Sequence, residues 1–324
     1  MTAAVHLPAW EQSARPLVVG LVNNMAIAGM AAARNQFAGV LEATGHCTEL
    51  ICFTMRDIAN GVRDHLPIDT LFEHVPDAII VTGMETTTSD LRDEWLWPRF
   101  IRLYDWCERN AVPVIWSCLA AHAAVLYRDG ITRQRLGAKL SGVFDCRRTP
   151  AAHRLTDGLP ALWRCPHSRY NGLSRAALDA RGYTVLSDGD IAGIDIFAAS
   201  DGSANFYFQG HPEYQKGTLL QEFLRDLRRY VAGETPVCPS IPVGYLDGSL
   251  EEDFSMLREH AQAGRDVMAE ALALAAKAVL RRNWAGAAVQ LYANWLDIVA
   301  EHTPCRGNQM QAVNVVRLGG AIAP

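Results

Sequence analysis

Apolar residues in the first third of the chain fall into short runs without regular polar alternation. "PLVVGLV" (16–22), "ELICFTM" (49–55), "DAIIVTG" (77–83) and "VPVIWSC" (112–118) each have strand length. Between them the spacing becomes helical. "AGMAAARNQFAGVLEATG" (28–45) stops at Gly45, and "RDEWLWPRFIRLYDWCERN" (92–110) gathers its aromatic and aliphatic residues on one face. Strands that are apolar on both faces and alternate with helices predict a parallel sheet covered on both sides. The expected class is α/β, an open, mostly parallel sheet flanked by helices.

The pattern then changes. "KLSGVFDC" (139–146), "YTVLSDG" (183–189), "GIDIFAAS" (193–200) and "ANFYFQG" (204–210) read as strands, the last two as a hairpin around "DGS" (201–203). "CPHSRYNG" (165–172) has neither period and reads as a surface or substrate loop. A helix is expected at 216–233, and the Pro- and Gly-rich stretch 234–248 reads as a linker or wrapped loop. From about Ser249 to His302 the pattern is helical, with two helices broken near 281–284, and the tail "RLGGAIAP" is expected to fray. The division that follows is a main domain at 1–245 and a helical C-terminal region at 246–324 packed on it.

Composition narrows the function. With 324 residues, 49% of them hydrophobic, the chain can bury a large core. A formal net charge of -5 does not suit nucleic acid or an anionic membrane as partner. The N-terminus lacks the basic start and apolar core of a signal peptide. The longest apolar helical stretch (268–280) is too short to span a bilayer and is bounded by Arg265 and Arg281. A soluble, cytoplasmic protein is expected. The 8 cysteines form no CxxC pair, so neither a disulfide framework nor a metal site is expected, and most thiols should be buried and inert.

Local context singles out Cys118. It ends an apolar strand, and a helix of small residues begins at once. A nucleophile on such a turn is exposed at the carboxyl edge of the sheet, and the next N–H, that of Leu119, is free to stabilise an oxyanion. The helix N-terminus favours a thiolate. "FYFQGHPEY" (206–214) places His211 and Glu213 just past another strand; in an extended chain they would share one side. Nucleophile, base and orienting carboxylate together suit covalent catalysis. His122 is a rival base, but it lies four residues along the helix from Cys118 and is expected to point along that helix. Lys139 opens a strand, and Ser168, Arg169 and Tyr170 could offer hydroxyls and a guanidinium to a substrate's charged groups.

"NNM", "RNQF", "VTG", "KLSGV", "PHSRY", "GHPEY" and "EFLRD", in this order around Cys118, resemble the homoserine O-acyltransferases of the homoserine transsuccinylase type. The likeness runs over roughly 14–245 and "YANWLD" (292–297). It implies a fold like the class I glutamine amidotransferase domain and a ping-pong transfer from acyl-CoA to a hydroxy-amino acid, with no bound cofactor and with a homodimer as one assembly. Cys118 would carry the acyl group, His211 would be the base and Glu213 its orienter. Lys139, Ser168 and Arg225 would bind substrate, Arg225 as the clamp for a carboxylate. The acyl-specificity position falls on Thr87, where the family has glutamate in acetyl-preferring and glycine in succinyl-preferring enzymes, so the donor stays open. Residues 249–285 look longer than the family's C-terminal region, a segment that could cover the site. Acylation of another hydroxy-amino acid such as serine, an amidotransferase-like hydrolase and an inactive binding paralogue are the competing readings.

Overall fold

The computed structural model describes residues 15–57 and 64–302. In chain order, β1 (Leu17–Val22), α1 (Ile27–Ala43), β2 (Thr48–Thr54), β3 (Leu66–Pro67), α2 (Ile68–Glu73), β4 (Ala78–Val81), α3 (Trp97–Arg109), β5 (Val114–Ser117) and α4 (Leu119–Asp129) form the alternating half. β6 (Gln134–Arg148), β7 (Leu162–Gly172), α5 (Arg175–Asp179), β8 (Tyr183–Gly189), β9 (Gly193–Ala199) and β10 (Asn205–Phe208) follow, then α6 (Thr218–Val231), α7 (Gly248–Gln262), α8 (Met268–Lys277) and α9 (Ala285–His302). One sheet of 10 strands results, in the order β3-β2-β1-β4-β5-β10-β9-β8-β6-β7. Every pairing from β3 to β10 is parallel and every pairing beyond β10 is antiparallel.

The unbroken apolar runs have a simple cause. Leu17, Val19 and Leu21 of β1 face one hydrophobic cluster with α1, α6 and α9, while Val18 and Val22 face a second cluster with α3 and α4. Both faces are buried, so neither can be polar. α7, α8 and α9 contribute to the first cluster through Phe254, Ala271, Tyr292, Trp295 and Val299, and are thus continuous with the sheet's core. Tyr292 packs edge-on against both Phe37 and Phe208.

Several sequence expectations change. Residues 165–172 are not a loop but part of β7, at the edge of the sheet. Trp163, Cys165, His167 and Arg169 are all buried, as a strand's alternation requires, but two of them are polar, so no hydrophobic period shows. Pro166 is tolerated there because an edge strand can forgo one N–H. The C-terminal region holds three helices rather than two, with an additional break at Gly264, whose φ is 84°. α3 begins at Trp97, with Pro98 in its first turn, after a 3₁₀ turn at Leu91–Asp93. The stretch 234–248 wraps onto β6, where Val243 bonds to Ser141 and Val143 at 2.9 Å each. A Cβ at Gly142 would lie 2.3 Å from the Val243 carbonyl oxygen, so that close approach requires glycine. The expected fraying tail lies outside the described residues.

Candidate active site

β4, β5 and β10 are adjacent, parallel and end at the same edge. Gly83, Cys118 and His211, which follow them, are therefore brought to one rim. Cys118 has φ 53° and ψ -110°, an uncommon conformation for a residue with a side chain. Such positions cost about 1–3 kcal/mol and persist only where the surroundings over-determine them. Here the Cys118 N–H donates to the Phe208 carbonyl at 2.6 Å, and its own carbonyl accepts from Ala121 in α4 at 3.0 Å. The Leu119 N–H is the first of α4 and has no carbonyl within the helix to bond. A Cβ on Gly83 would sit 3.1 Å from that nitrogen, so glycine keeps the space before it clear. The glycine that ends the third strand run was the sequence signal for this, and it was not read.

His211 and Glu213 do meet, but not by extended alternation. Residues 211–214 form a tight turn in which the Tyr214 N–H donates to the His211 carbonyl at 3.1 Å, with Pro212 in the second position. His211 Nδ1 bonds to Glu213 Oε1 at 2.8 Å. The imidazole also faces the Cys118 thiol. Burial lowers its pKa, yet Glu213 and Cys118 outweigh burial and hold it well above the ordinary histidine value. The Tyr214 ring stacks on His211 at 4.3 Å between centroids. The Tyr214 carbonyl accepts from Arg282 Nε at 2.9 Å and from Trp284 Nε1 at 3.0 Å, so the segment between α8 and α9 grips the turn.

Lys139, Ser168 and Arg225 converge on two carboxylates one turn apart on α6, Glu222 and Asp226. Ser168 Oγ donates to Glu222 Oε2 at 2.5 Å, and Tyr214 Oη donates to Glu222 Oε1 at 2.6 Å. Lys139 Nζ lies 2.7 Å from Asp226 Oδ2 and 3.9 Å from Glu222 Oε2. Arg225 reaches Asp226 Oδ1 through Nε and Nη2 at 2.9 and 2.8 Å. Burial raises the Asp226 pKa, but Lys139 and Arg225 outweigh it and keep the group ionised. Glu222, Asp226 and Tyr214 were not singled out from sequence, although the i, i+4 acids within "QEFLRD" were visible.

Thr87 does not present a free hydroxyl. Its N–H and Oγ1 both donate to Glu94, at 2.7 and 3.0 Å, and Thr88 donates to Glu94 in the same two ways. Glu94 is 4% exposed; burial raises its pKa, but these four bonds prevail and lower it. It lines a cavity of about 30 Å³ with Gly83, Leu119, Leu91, Trp97 and Phe100. Sequence reasoning missed Glu94. His122 is buried beside Gln209, at 2.9 Å, and burial, Arg169 and Arg133 push its pKa down to about 3, which removes it as a base near neutral pH. Among the described residues no helix is long and apolar enough to cross a membrane.

Comparison with known proteins adds the family. A model of the family "Homoserine O-succinyltransferase" matches residues 3–305, a span that includes the C-terminal helices. A curated protein of that name from Rhodopseudomonas palustris is 39% identical over 304 residues, covering 90% of this chain and 91% of its own. One from Bradyrhizobium japonicum is 38% identical, covering 88% of this chain and 90% of its own. Among solved structures, a glutamine amidotransferase from Methylobacillus flagellatus aligns with a TM-score of 0.50 at 14% identity, over 93% of this chain and 100% of that one, a likeness of fold.

Proposed function

The chain belongs to the homoserine O-succinyltransferase family, and on that premise we propose that it moves a short acyl group from acyl-CoA to the side-chain hydroxyl of L-homoserine through a thioester on Cys118. The class, an acyltransferase of methionine biosynthesis, follows from the family. The observation that carries the mechanism is the meeting of Cys118, on its strained turn, with the His211–Glu213 pair at the next strand's end.

Cys118 Sγ attacks the thioester carbonyl of acyl-CoA while His211 holds the thiol proton. The developing oxyanion lies before the Leu119 N–H, in the space that Gly83 leaves open. Collapse breaks the carbonyl–CoA sulfur bond, and His211 returns the proton to the departing CoA thiolate. Homoserine then occupies the same rim. Its hydroxyl loses a proton to His211 and attacks the acyl-Cys118 carbonyl; the C–S bond breaks, and the proton passes to Cys118 Sγ. Glu213 keeps the imidazole in register through both halves. For the acceptor, Arg225 suits the α-carboxylate and Glu222 the α-ammonium, since they lie on one face of α6 beside Lys139 and Ser168.

A second reading of the donor has an observation in its favour. The Glu94 carboxylate, held ionised by its four hydrogen bonds, walls the cavity beside Leu119 and repels a second carboxylate there. That favours acetyl-CoA over the succinyl-CoA of the family description, and the kcat/KM ratio for the two donors decides between them. The test of the whole scheme is intact mass spectrometry after mixing with either acyl-CoA and no acceptor. One acyl mass is expected on the protein and none on Cys118→Ala. An unacylated protein with both donors refutes the thioester.

A further inference from the structure

Three strands, β9, β8 and β6, separate β10 from β7 in the sheet order. Yet the N–H of His211, just past β10, donates to the Pro166 carbonyl of β7 at 2.7 Å. The antiparallel half of the sheet therefore curls round until its edge strand meets the end of β10. On the other side of Gly210, the Gln209 N–H donates to the Asp195 carbonyl of β9, also at 2.7 Å. The backbone that leads into the base is thus held between β9 and β7, and its placement depends on how closely those two strands approach.

Side chains set that approach. His167 Nε2 of β7 lies 3.3 Å from Asp195 Oδ1 of β9, and both residues are 0% exposed. Ser187 Oγ of β8 donates to Asp195 Oδ2 at 2.5 Å and fixes the carboxylate through its other oxygen. Arg169 Nη2 of β7 donates to the Ala192 carbonyl, just before β9, a second tie across the same gap. With no solvent to turn to, a buried carboxylate holds to the donors the fold supplies. Gly210 lies against the pair, since a Cβ there would fall 2.5 Å from Asp195 Oδ1 and 3.0 Å from His167 Nε2.

We infer that His167 and Asp195 are positioning residues for the reaction: their contact closes the curled sheet and so fixes the backbone at 209–211 that presents His211. Neither touches substrate, and both act through the placement of the base. Cys146, His167 and Asp195 also have the composition of a metal site, their donor atoms lying within 4.8 Å of one another. Arg169 Nε faces His167 Nδ1 at 3.5 Å, however, which makes Nδ1 the acceptor and puts the ring proton on Nε2, the nitrogen a metal would need bare.

This role rests on the Cys118 thioester, and the first half-reaction tests it without acceptor. Acetyl-CoA or succinyl-CoA is mixed with wild type, His167→Asn, His167→Gln and Asp195→Asn. CoA release is followed by its thiol, and the acylated fraction by intact mass spectrometry. The amplitude counts competent sites, and the rate constant reports their geometry. Glutamine sets an amide N–H near the place of Nε2, asparagine near that of Nδ1. His167→Asn and Asp195→Asn are expected to form acyl-enzyme about tenfold to a hundredfold slower per competent site, and His167→Gln to recover most of the rate. Fewer acylated sites with a wild-type rate constant would show a purely structural role and overturn the inference, as would a His167→Gln protein as slow as His167→Asn. Should His167→Asn not fold, a wild-type rate constant in Asp195→Asn overturns it. Stoichiometric zinc in the purified wild type also overturns it, by assigning the pair to a metal. Wild-type protein that takes no acyl group from either donor refutes the thioester itself, and the positioning role falls with it.

Discussion

Two glycine-to-alanine changes, the same methyl added at different places, should act with opposite signs. A Cβ on Gly210 would lie 2.5 Å from Asp195 Oδ1, 2.6 Å from Cys165 Sγ and 3.0 Å from His167 Nε2. Carbon makes ordinary contact at roughly 3.5–4.0 Å, so the overlap is about 1 Å with two of the three. Those neighbours are 0%, 1% and 0% exposed, and none is the loose end of a flexible chain. Relief must come from the backbone at 209–211 or from the buried cluster, at a cost of about 1–3 kcal/mol. Gly39, inside α1, has nothing beyond its chain neighbours and the helix's own backbone within 4 Å of its Cβ position, and alanine there should gain about 0.5–1 kcal/mol through helix propensity. Urea unfolding with a shared m-value reads both, with Gly210→Ala below wild type and Gly39→Ala at or above it. Activity should separate them further. Displacing the residue before His211 by several tenths of an ångström should lower kcat/KM by up to about a hundredfold, while Gly39→Ala keeps wild-type kinetics. A Gly210→Ala protein as stable and as active as wild type would refute the crowding argument; lost stability with full activity would refute the link from this cluster to His211.

Two further outcomes follow from single side chains. His122 is buried neutral, its pKa pushed down to about 3. The unfolded chain therefore binds a proton between roughly pH 6.5 and 3 that the folded chain does not, and folding loses about 1.4 kcal/mol per pH unit as pH falls through that window; His122→Asn should remove this slope in acid unfolding curves, and an identical slope would show the histidine titrating normally. Tyr214→Phe keeps the ring on His211 but deletes the bond to Glu222, worth about 1.5–3 kcal/mol for a charged acceptor. The expected result is a raised KM for homoserine with an unaltered rate of acyl-enzyme formation, and an equal loss in both would assign Tyr214 to the base instead.

The chain's own pattern determined the alternating half of the fold, because strands buried on two faces leave long apolar runs and helices buried on one leave a stripe. The elbow at Cys118 was legible for the same reason, as an apolar strand passing at once into small helical residues. β7 was not legible: its buried positions include His167 and Arg169, whose polar groups meet Asp195 and the Ala192 carbonyl, both distant in sequence, and a local period cannot report distant partners. His211 and Glu213 were found as a pair, but their meeting through a turn depends on strand β10 ending where it does and on Trp284 holding the Tyr214 carbonyl. Glu94, Glu222 and Asp226 are ordinary acids in a sequence. Only tertiary structure decided that one would close over Thr87 and Thr88, and that the others would face Ser168, Lys139 and Arg225, since a carboxylate's role is set by which donors the fold brings within bonding distance.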